Sequence, residues 1–320
     1  MTDQPQALIV AGPTTSGKSA LALAVAERLG GTVINADSMQ VYAGLAVITA
    51  RPTPAEEAQA PHRLYGVRDP AEAASVAWWR EVALAAMAEA RAAGRLPILC
   101  GGTGLYFKAL TEGIATIPPI PEAARVEARA LLAAVGPAAL HARLAAVDPA
   151  SAARLRPSDS QRLARAFEVW RGTGRGIAAW QAAGGGEPAP WRFAAVLLDP
   201  PRDALRTAIA ARWRAMLDQG ALAEVAALAA RGLDPALPAM RAHGVPELAA
   251  HLAGRLTLDA ASARAILNTG QYTKRQATWF RHQDMAAGNR THRINARFAG
   301  LTQFSESERG DFLAFLKMLR

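Results

Sequence analysis

An α/β fold, a parallel sheet flanked by helices and interrupted by an all-helical insertion, is the architecture this sequence predicts. Three observations carry that expectation. Short apolar runs of buried-strand type (7–11, 32–36, 96–100 and 192–199) are separated by stretches of helical periodicity. The first run leads directly into Gly12-Pro13-Thr14-Thr15-Ser16-Gly17-Lys18-Ser19, which fits G-x-x-x-x-G-K-[ST], the phosphate-binding P-loop. Beyond Gly113 the composition shifts to arginine-bearing helical stretches, entered through Pro118, Pro119 and Pro121 and left through Gly184-Gly185-Gly186 and Pro188. The sheet is therefore expected to be P-loop NTPase-like. Residues 1–113 and 191–320 would form the catalytic core with C-terminal helices, and 114–190 the helical insertion.

The P-loop has the local context its chemistry needs. Residues 7–11 form a strand, and 19–29 a helix stopped by Gly30-Gly31. Gly12 and Gly17 permit backbone turns that let N–H groups converge on phosphate oxygens at the positive end of the helix. Lys18 adds a point charge for the outer phosphates, and Ser19 a hydroxyl for Mg2+. The motif predicts a bound di- or triphosphate without naming its fate.

The second strand, 32–36, runs into Asp37-Ser38-Met39-Gln40-Val41-Tyr42, at the end where open α/β sheets bind ligands. Asp37 reads either as a helix cap or as a carboxylate that holds Mg2+ or takes a proton; the polar cluster around it favours the second. A polar, proline-containing loop follows Thr49-Ala50-Arg51-Pro52-Thr53, and the chain returns through Tyr65–Pro70 as a short strand. Residues 75–91 make a helix with Val76, Trp79, Val82, Ala83, Ala86 and Met87 on one face. The strand 96–100 ends in Gly101-Gly102-Thr103-Gly104, where many P-loop ATPases carry an acid.

Helices are expected at 122–135, 137–147, near 150–155, and at 160–172. Their arginines suit either a solvated surface or a grip on a phosphate backbone. Arg192–Asp199 returns to the sheet. A helix from Arg202 to Met216 places Arg202, Arg206 and Arg212 as candidates to close over phosphate, and another runs 221–231. Within the helical 258–282, Lys274 and Arg275 are interleaved with Gln, Tyr, Trp and Phe, a pattern that suits RNA contact or an amphipathic helix. Residues 283–320 carry little signal.

Composition sets outer bounds. The net charge of +9 and pI near 10.5 favour a polyanionic partner, most simply nucleic acid. The one cysteine, Cys100, excludes an internal disulfide framework, and the six scattered histidines exclude zinc-finger spacing. No apolar run looks long enough to span a membrane, so a cytoplasmic protein without a membrane partner is expected.

Over about residues 7–282 the chain resembles the bacterial tRNA dimethylallyltransferases, also called tRNA isopentenyltransferases. The resemblance rests on GPTTSGKS, DSMQVY (37–42), TARPT (49–53), PHRL (61–64), GGTGLY (101–106), DSQRLARAFEV (159–169), the 202–217 helix and TKRQATWFR (273–281). It implies transfer of a dimethylallyl group from dimethylallyl diphosphate to N6 of adenine 37 in tRNA, with Mg2+ as cofactor and diphosphate leaving. Asp37 would be the general base. Lys18, the P-loop amides, Ser19-bound Mg2+ and Arg212 would stabilise the leaving charge, and Thr103 would support the adenine or a diphosphate oxygen. Ser38, Met39 and Gln40 would line the pocket of a flipped adenine. Arg125, Gln161, Arg162, Leu163, Ala164, Arg165, Lys274 and Arg275 would contact tRNA. A monomer is expected. Two departures stand out: Ile48 replaces a usual glycine, and Gly244-Val245-Pro246-Glu247 replaces Gly-Tyr-x-Glu. The rival readings are a nucleotide or nucleoside kinase, an isopentenyltransferase of free adenine nucleotides, and a non-catalytic RNA-binding module.

Overall fold

The computed structural model describes residues 4–184 and 186–319. Six strands form one sheet: β1 (Gln6–Ala11), β2 (Gly31–Asn35), β3 (His62–Arg63), β4 (Leu96–Gly101), β5 (Arg192–Leu198) and β6 (Thr291–Ile294). Their order is β3-β2-β4-β1-β5-β6, and every pairing is parallel. The helices are α1 (Lys18–Leu29), α2 (Pro54–Gln59), α3 (Val76–Ala92), α4 (Gly104–Thr111), α5 (Glu122–Val147), α6 (Pro149–Ala152), α7 (Ser160–Thr173), α8 (Ile177–Ala182), α9 (Arg202–Asp218), α10 (Ala221–Ala230), α11 (Val245–Leu252), α12 (Leu258–Arg281) and α13 (Glu306–Lys317).

The alternation of strand side chains divides the core into two layers. Ala7, Ile9, Ala11, Ile34, Leu99, Ala195 and Leu197 face one layer, closed by Trp79, Met87, Phe107, Trp213 and Phe280. Leu8, Val10, Val33, Ile98, Ala194, Val196 and Leu198 face the other, closed by Leu21, Val25, Phe312 and Phe315. Strands buried on both faces read as continuous apolar runs, which is why the central four were legible.

The chain divides into two compact units, Met1–Thr111 with Ala189–Arg320, and Glu112–Pro188. The boundaries differ by two residues from those expected, because the Ala189 amide donates to the Leu110 carbonyl (2.7 Å) and belongs to the first unit. The second unit is all-helical. Leu140, Leu144, Leu163, Ala166 and Phe167 form its main core. Its long helix breaks where the sequence predicted, at Gly136 (φ 76, ψ 170). Glu122–Val147 is long and apolar enough by length and composition to cross a membrane, contrary to the expectation that no run is; its alanines carry it over that threshold, and the break at Gly136 divides it.

Several elements differ from expectation, among them α8, which lies beyond the last helix expected in the insertion. The short strand is His62–Arg63, earlier than Tyr65–Pro70, where Arg68 makes only an isolated bridge with Tyr42. The loop after Arg51 contains α2, started by Thr53 and Glu56 capping one another. The edge strand β6 and the helix α13 come from the stretch that offered little signal.

Candidate active site

The ends of β1, β2 and β4 converge, and each delivers one loop. After β1 comes the P-loop. Gly17 lies at φ 89 and caps α1, so Lys18 opens the helix and its first amides point outward. Thr15 also has positive φ (66), an uncommon conformation for a β-branched residue. The loop is held from outside. Arg297 Nε donates to the Thr15 carbonyl (2.8 Å), and the Phe298 amide donates to the Ser16 carbonyl (2.9 Å). A Cβ on Gly17 would lie 2.1 Å from the Phe298 carbonyl oxygen, so the glycine is required by close approach as well as by φ. Ser16 Oγ is buried with no hydrogen-bond partner among the described residues.

After β2, Asn35 fixes Asp37. The Asn35 side chain is fully buried, accepts from the Asp37 amide (2.8 Å) and donates to the Asp37 carbonyl (3.0 Å). The Asp37 carboxylate accepts from the Met39 amide through Oδ1 (2.9 Å). After β4, Thr103 Oγ1 accepts from the Ser38 amide (2.9 Å) and donates to the Ser38 hydroxyl (3.3 Å), so the loops after β2 and β4 are joined directly.

Lys18, Asp37 and Arg212 share one electrostatic neighbourhood. Burial lowers the Lys18 ammonium from its usual range, opposed by the Asp37 carboxylate. Burial likewise lowers the Arg212 guanidinium, with Asp37 opposing. Two cations kept against a desolvation cost, with one carboxylate between them in charge, suit an anionic ligand better than a closed ion-pair network. Arg212 is placed by α9, and its Nη2 donates to the Thr49 carbonyl (3.1 Å). Arg202 and Arg206, on the same helix, lie on its exposed face, where Arg206 pairs with Asp203.

The loop that carries Thr49 is itself anchored. The Glu224 carboxylate accepts from the amides of Ala46 (2.8 Å), Val47 (2.8 Å) and Ile48 (3.0 Å). Ile48 is buried at the point where a Cβ on Gly244 would meet it, so the departure at this position is a core residue. Gln40 differs from expectation. Its side-chain amide donates to the carbonyls of Thr49 and Ala50 (both 2.9 Å), which commits it to holding the loop rather than to facing a base.

A family model described as IPP transferase matches residues 40–283. The chain belongs to this family. The tRNA dimethylallyltransferase of Acidiphilium cryptum is 62% identical over 327 residues, covering 99% of each chain. That of Granulibacter bethesdensis is 59% identical over 317 residues, covering 98% of each. Among solved structures, the full-length tRNA isopentenylpyrophosphate transferase of Bacillus halodurans is 30% identical, with a TM-score of 0.67 over 99% of this chain and 98% of its own.

The remaining residues expected to contact nucleic acid in this IPP transferase divide by exposure. Lys274 and Arg275 are exposed on α12, Arg275 lying 5.6 Å over the Tyr272 ring. On α7, Gln161, Arg162 and Arg165 are exposed and Ala164 is half-buried. Leu163 is a correction: it is fully buried in the core of the helical unit and presents nothing to solvent. Arg125 and Arg165 both pair with Glu168, so part of their charge is already neutralised.

Sequence reasoning missed Asn35, Glu224, Gln276 and the Arg297–Phe298 segment. Gln276 is the most consequential. Its Oε1 accepts from the Thr14 amide (2.8 Å) and hydroxyl (3.0 Å), and its Nε2 donates to the Gly102 carbonyl (2.9 Å). A Cβ on Gly102 would fall 2.2 Å from Gln276 Nε2, and one on Gly104 would fall 2.3 Å from the Trp279 ring. Gly102 and Gly104 of the first motif and the Gln and Trp of 273–281 are therefore two halves of one contact, a pairing that the two motifs hold without declaring.

Proposed function

We infer that this IPP transferase moves a dimethylallyl group from dimethylallyl diphosphate to N6 of adenine 37 in the tRNA anticodon loop. The observation that carries the reading is the composition of the site: Lys18, Asp37 and Arg212 at a P-loop mouth, beside a strand that ends in Gly101-Gly102-Thr103 rather than in an acid. Phosphate-binding parts without a carboxylate to order water at that strand suit transfer to another acceptor better than hydrolysis.

The bond changes follow. N6 attacks the allylic carbon as the carbon–oxygen bond to diphosphate breaks, and the oxygen keeps the electron pair. Asp37 takes the N6 proton; its carboxylate is held by the Met39 amide and its backbone by Asn35. Lys18, the first amides of α1 and Arg212 stabilise the charge gathering on diphosphate. Thr103, oriented by Ser38, supports the acceptor side. The base must leave its stack to reach this depth.

The residues present suit Mg2+. Ser19 is exposed in the first turn of α1, and its donor set of hydroxyl and diphosphate oxygens matches a hard cation that retains waters. Bound there, Mg2+ would supply positive charge to the diphosphate oxygens. Gln161, Arg162 and Arg165 of the helical unit and Lys274 and Arg275 of α12 present exposed hydrogen-bonding and cationic groups to the tRNA. A cytoplasmic monomer is part of the reading.

The test is a transfer assay with Mg2+, labelled dimethylallyl diphosphate and unmodified tRNA, with adenosine monophosphate alongside. Label in tRNA alone, lost when adenine 37 is replaced, is expected. Label in the mononucleotide moves the activity to free nucleotides, and ATP turnover without label in either makes it a kinase. Asp37→Ala is expected to keep tRNA binding and lower transfer by about 10²–10⁴-fold; near-normal transfer removes Asp37 from the mechanism.

A further inference from the structure

We propose that Gln276 is a positioning residue for the reaction, setting the gap between the diphosphate and acceptor halves of the site by bridging the P-loop to the turn after β4. The proposal rests on the prenyl-transfer reading above. Its one carboxamide uses both ends. Oε1 holds the amide and hydroxyl of Thr14, and Nε2 holds the carbonyl of Gly102, the residue before Thr103. Gln276 is 5% exposed, so none of these bonds competes freely with water. The fit is close, since even a methyl on Gly102 would collide with Nε2.

The bridge continues beyond Gly102. Thr103, the next residue, bonds Ser38, the neighbour of Asp37, and the Tyr272 phenol, one helical turn before Gln276 on α12, lies near both Gln276 and Thr103. Thr14 on the donor side and Asp37 on the acceptor side are thus tied through one helix. Neither Gln276 nor Tyr272 need touch a reacting atom. A displacement of about 1 Å between groups that must meet at bonding range can cost about 10²-fold in rate, which is the effect a spacer controls.

Only a carboxamide satisfies both ends. Gln276→Leu removes both bonds. Gln276→Glu keeps the shape and the acceptor for Thr14, but sets a carboxylate oxygen against the Gly102 carbonyl; once protonated, its O–H can donate there again. The experiment measures single-turnover transfer to tRNA, the Kd of inorganic diphosphate and the Kd of unmodified tRNA for the wild type and both variants, across pH.

Gln276→Leu is expected to lower the single-turnover rate about 100-fold while each Kd changes by less than about threefold. Gln276→Glu is expected to recover rate relative to wild type as pH falls, a response that simple loosening of the fold does not produce. A near-normal rate in Gln276→Leu overturns the proposal. So does a loss in both variants that follows weakened binding of either ligand and is flat in pH. Wild-type protein that transfers nothing to tRNA sinks the prenyl-transfer reading; active wild type with indifferent variants sinks only the role of Gln276.

Discussion

Arg212 and Gln40 donate to the same acceptor, the carbonyl oxygen of Thr49, at 3.1 and 2.9 Å. The next residue, Ala50, is held at φ 48 and receives the second Gln40 bond. Under the proposed prenyl-transfer reading, Gln40 would therefore act on the diphosphate through Arg212 rather than on the adenine. Gln40→Ala is expected to raise KM for dimethylallyl diphosphate by about tenfold, the loss of roughly one charge-assisted contact, with KM for tRNA little changed. Steady-state kinetics varying each substrate in turn would show which KM moves.

Lys18 is expected to trade stability for function. Burial favours its neutral form, so in the folded protein it releases its proton below the usual 10.5. Between that lowered value and 10.5 the unfolded chain binds more protons, and this group's contribution to stability rises with pH through that window. Below it the buried charge costs stability. Lys18→Met is accordingly expected to stabilise the ligand-free protein by about 1 kcal/mol at neutral pH while abolishing transfer. The stabilising difference should shrink as pH climbs through the window. Denaturant titrations of both proteins at several pH values provide the check.

Cys100 is buried at the end of β4, and burial pushes its thiol up to about 11 despite the nearby Lys18 ammonium and a hydrogen bond with Ser19. It is protonated at neutral pH and poorly nucleophilic. Iodoacetamide is expected to leave the folded protein unlabelled and to label one thiol after denaturation, as read by mass spectrometry. Labelling of the native protein at a rate near that of free cysteine would contradict the burial.

Leu163 and Arg162 are neighbours with opposite consequences. Leu163→Ala opens a cavity in the core of the helical unit and is expected to cost about 2–5 kcal/mol there. Arg162→Ala is expected to stay within about 0.5 kcal/mol in stability, yet to weaken tRNA binding and flatten its salt dependence by about one charge. Thermal unfolding and tRNA titrations at varied salt separate the two.

Legibility in the sequence followed the range of the forces involved. The P-loop, Asp37 and Thr103 could be read because a strand, a turn and a helix start lie within a few residues of each other. The break at Gly136 was marked by Gly-Pro chemistry. Asn35 was hidden because a polar residue closing a buried strand looks like strand fraying until its two bonds to Asp37 are seen. Glu224 and Gln276 act on segments far away in the chain, at 178 residues (Ala46) and 262 residues (Thr14) respectively, and no local pattern records such partners. The edge strand β6 has only four residues and one paired neighbour, so its apolar signature is weak.

The backing of the P-loop by Arg297 and Phe298 has a temporal consequence. Thr15 and Arg297 stand 282 residues apart, so a ribosome makes the phosphate loop long before its support. At about 5–20 residues per second, the loop spends many seconds emerged without the segment that shapes it. A nascent chain can pair β1 with β4 and then β5 well before Arg297 and Phe298 reach the loop. The shaping of the P-loop by Arg297 and Phe298 thus waits on synthesis far downstream of the loop itself.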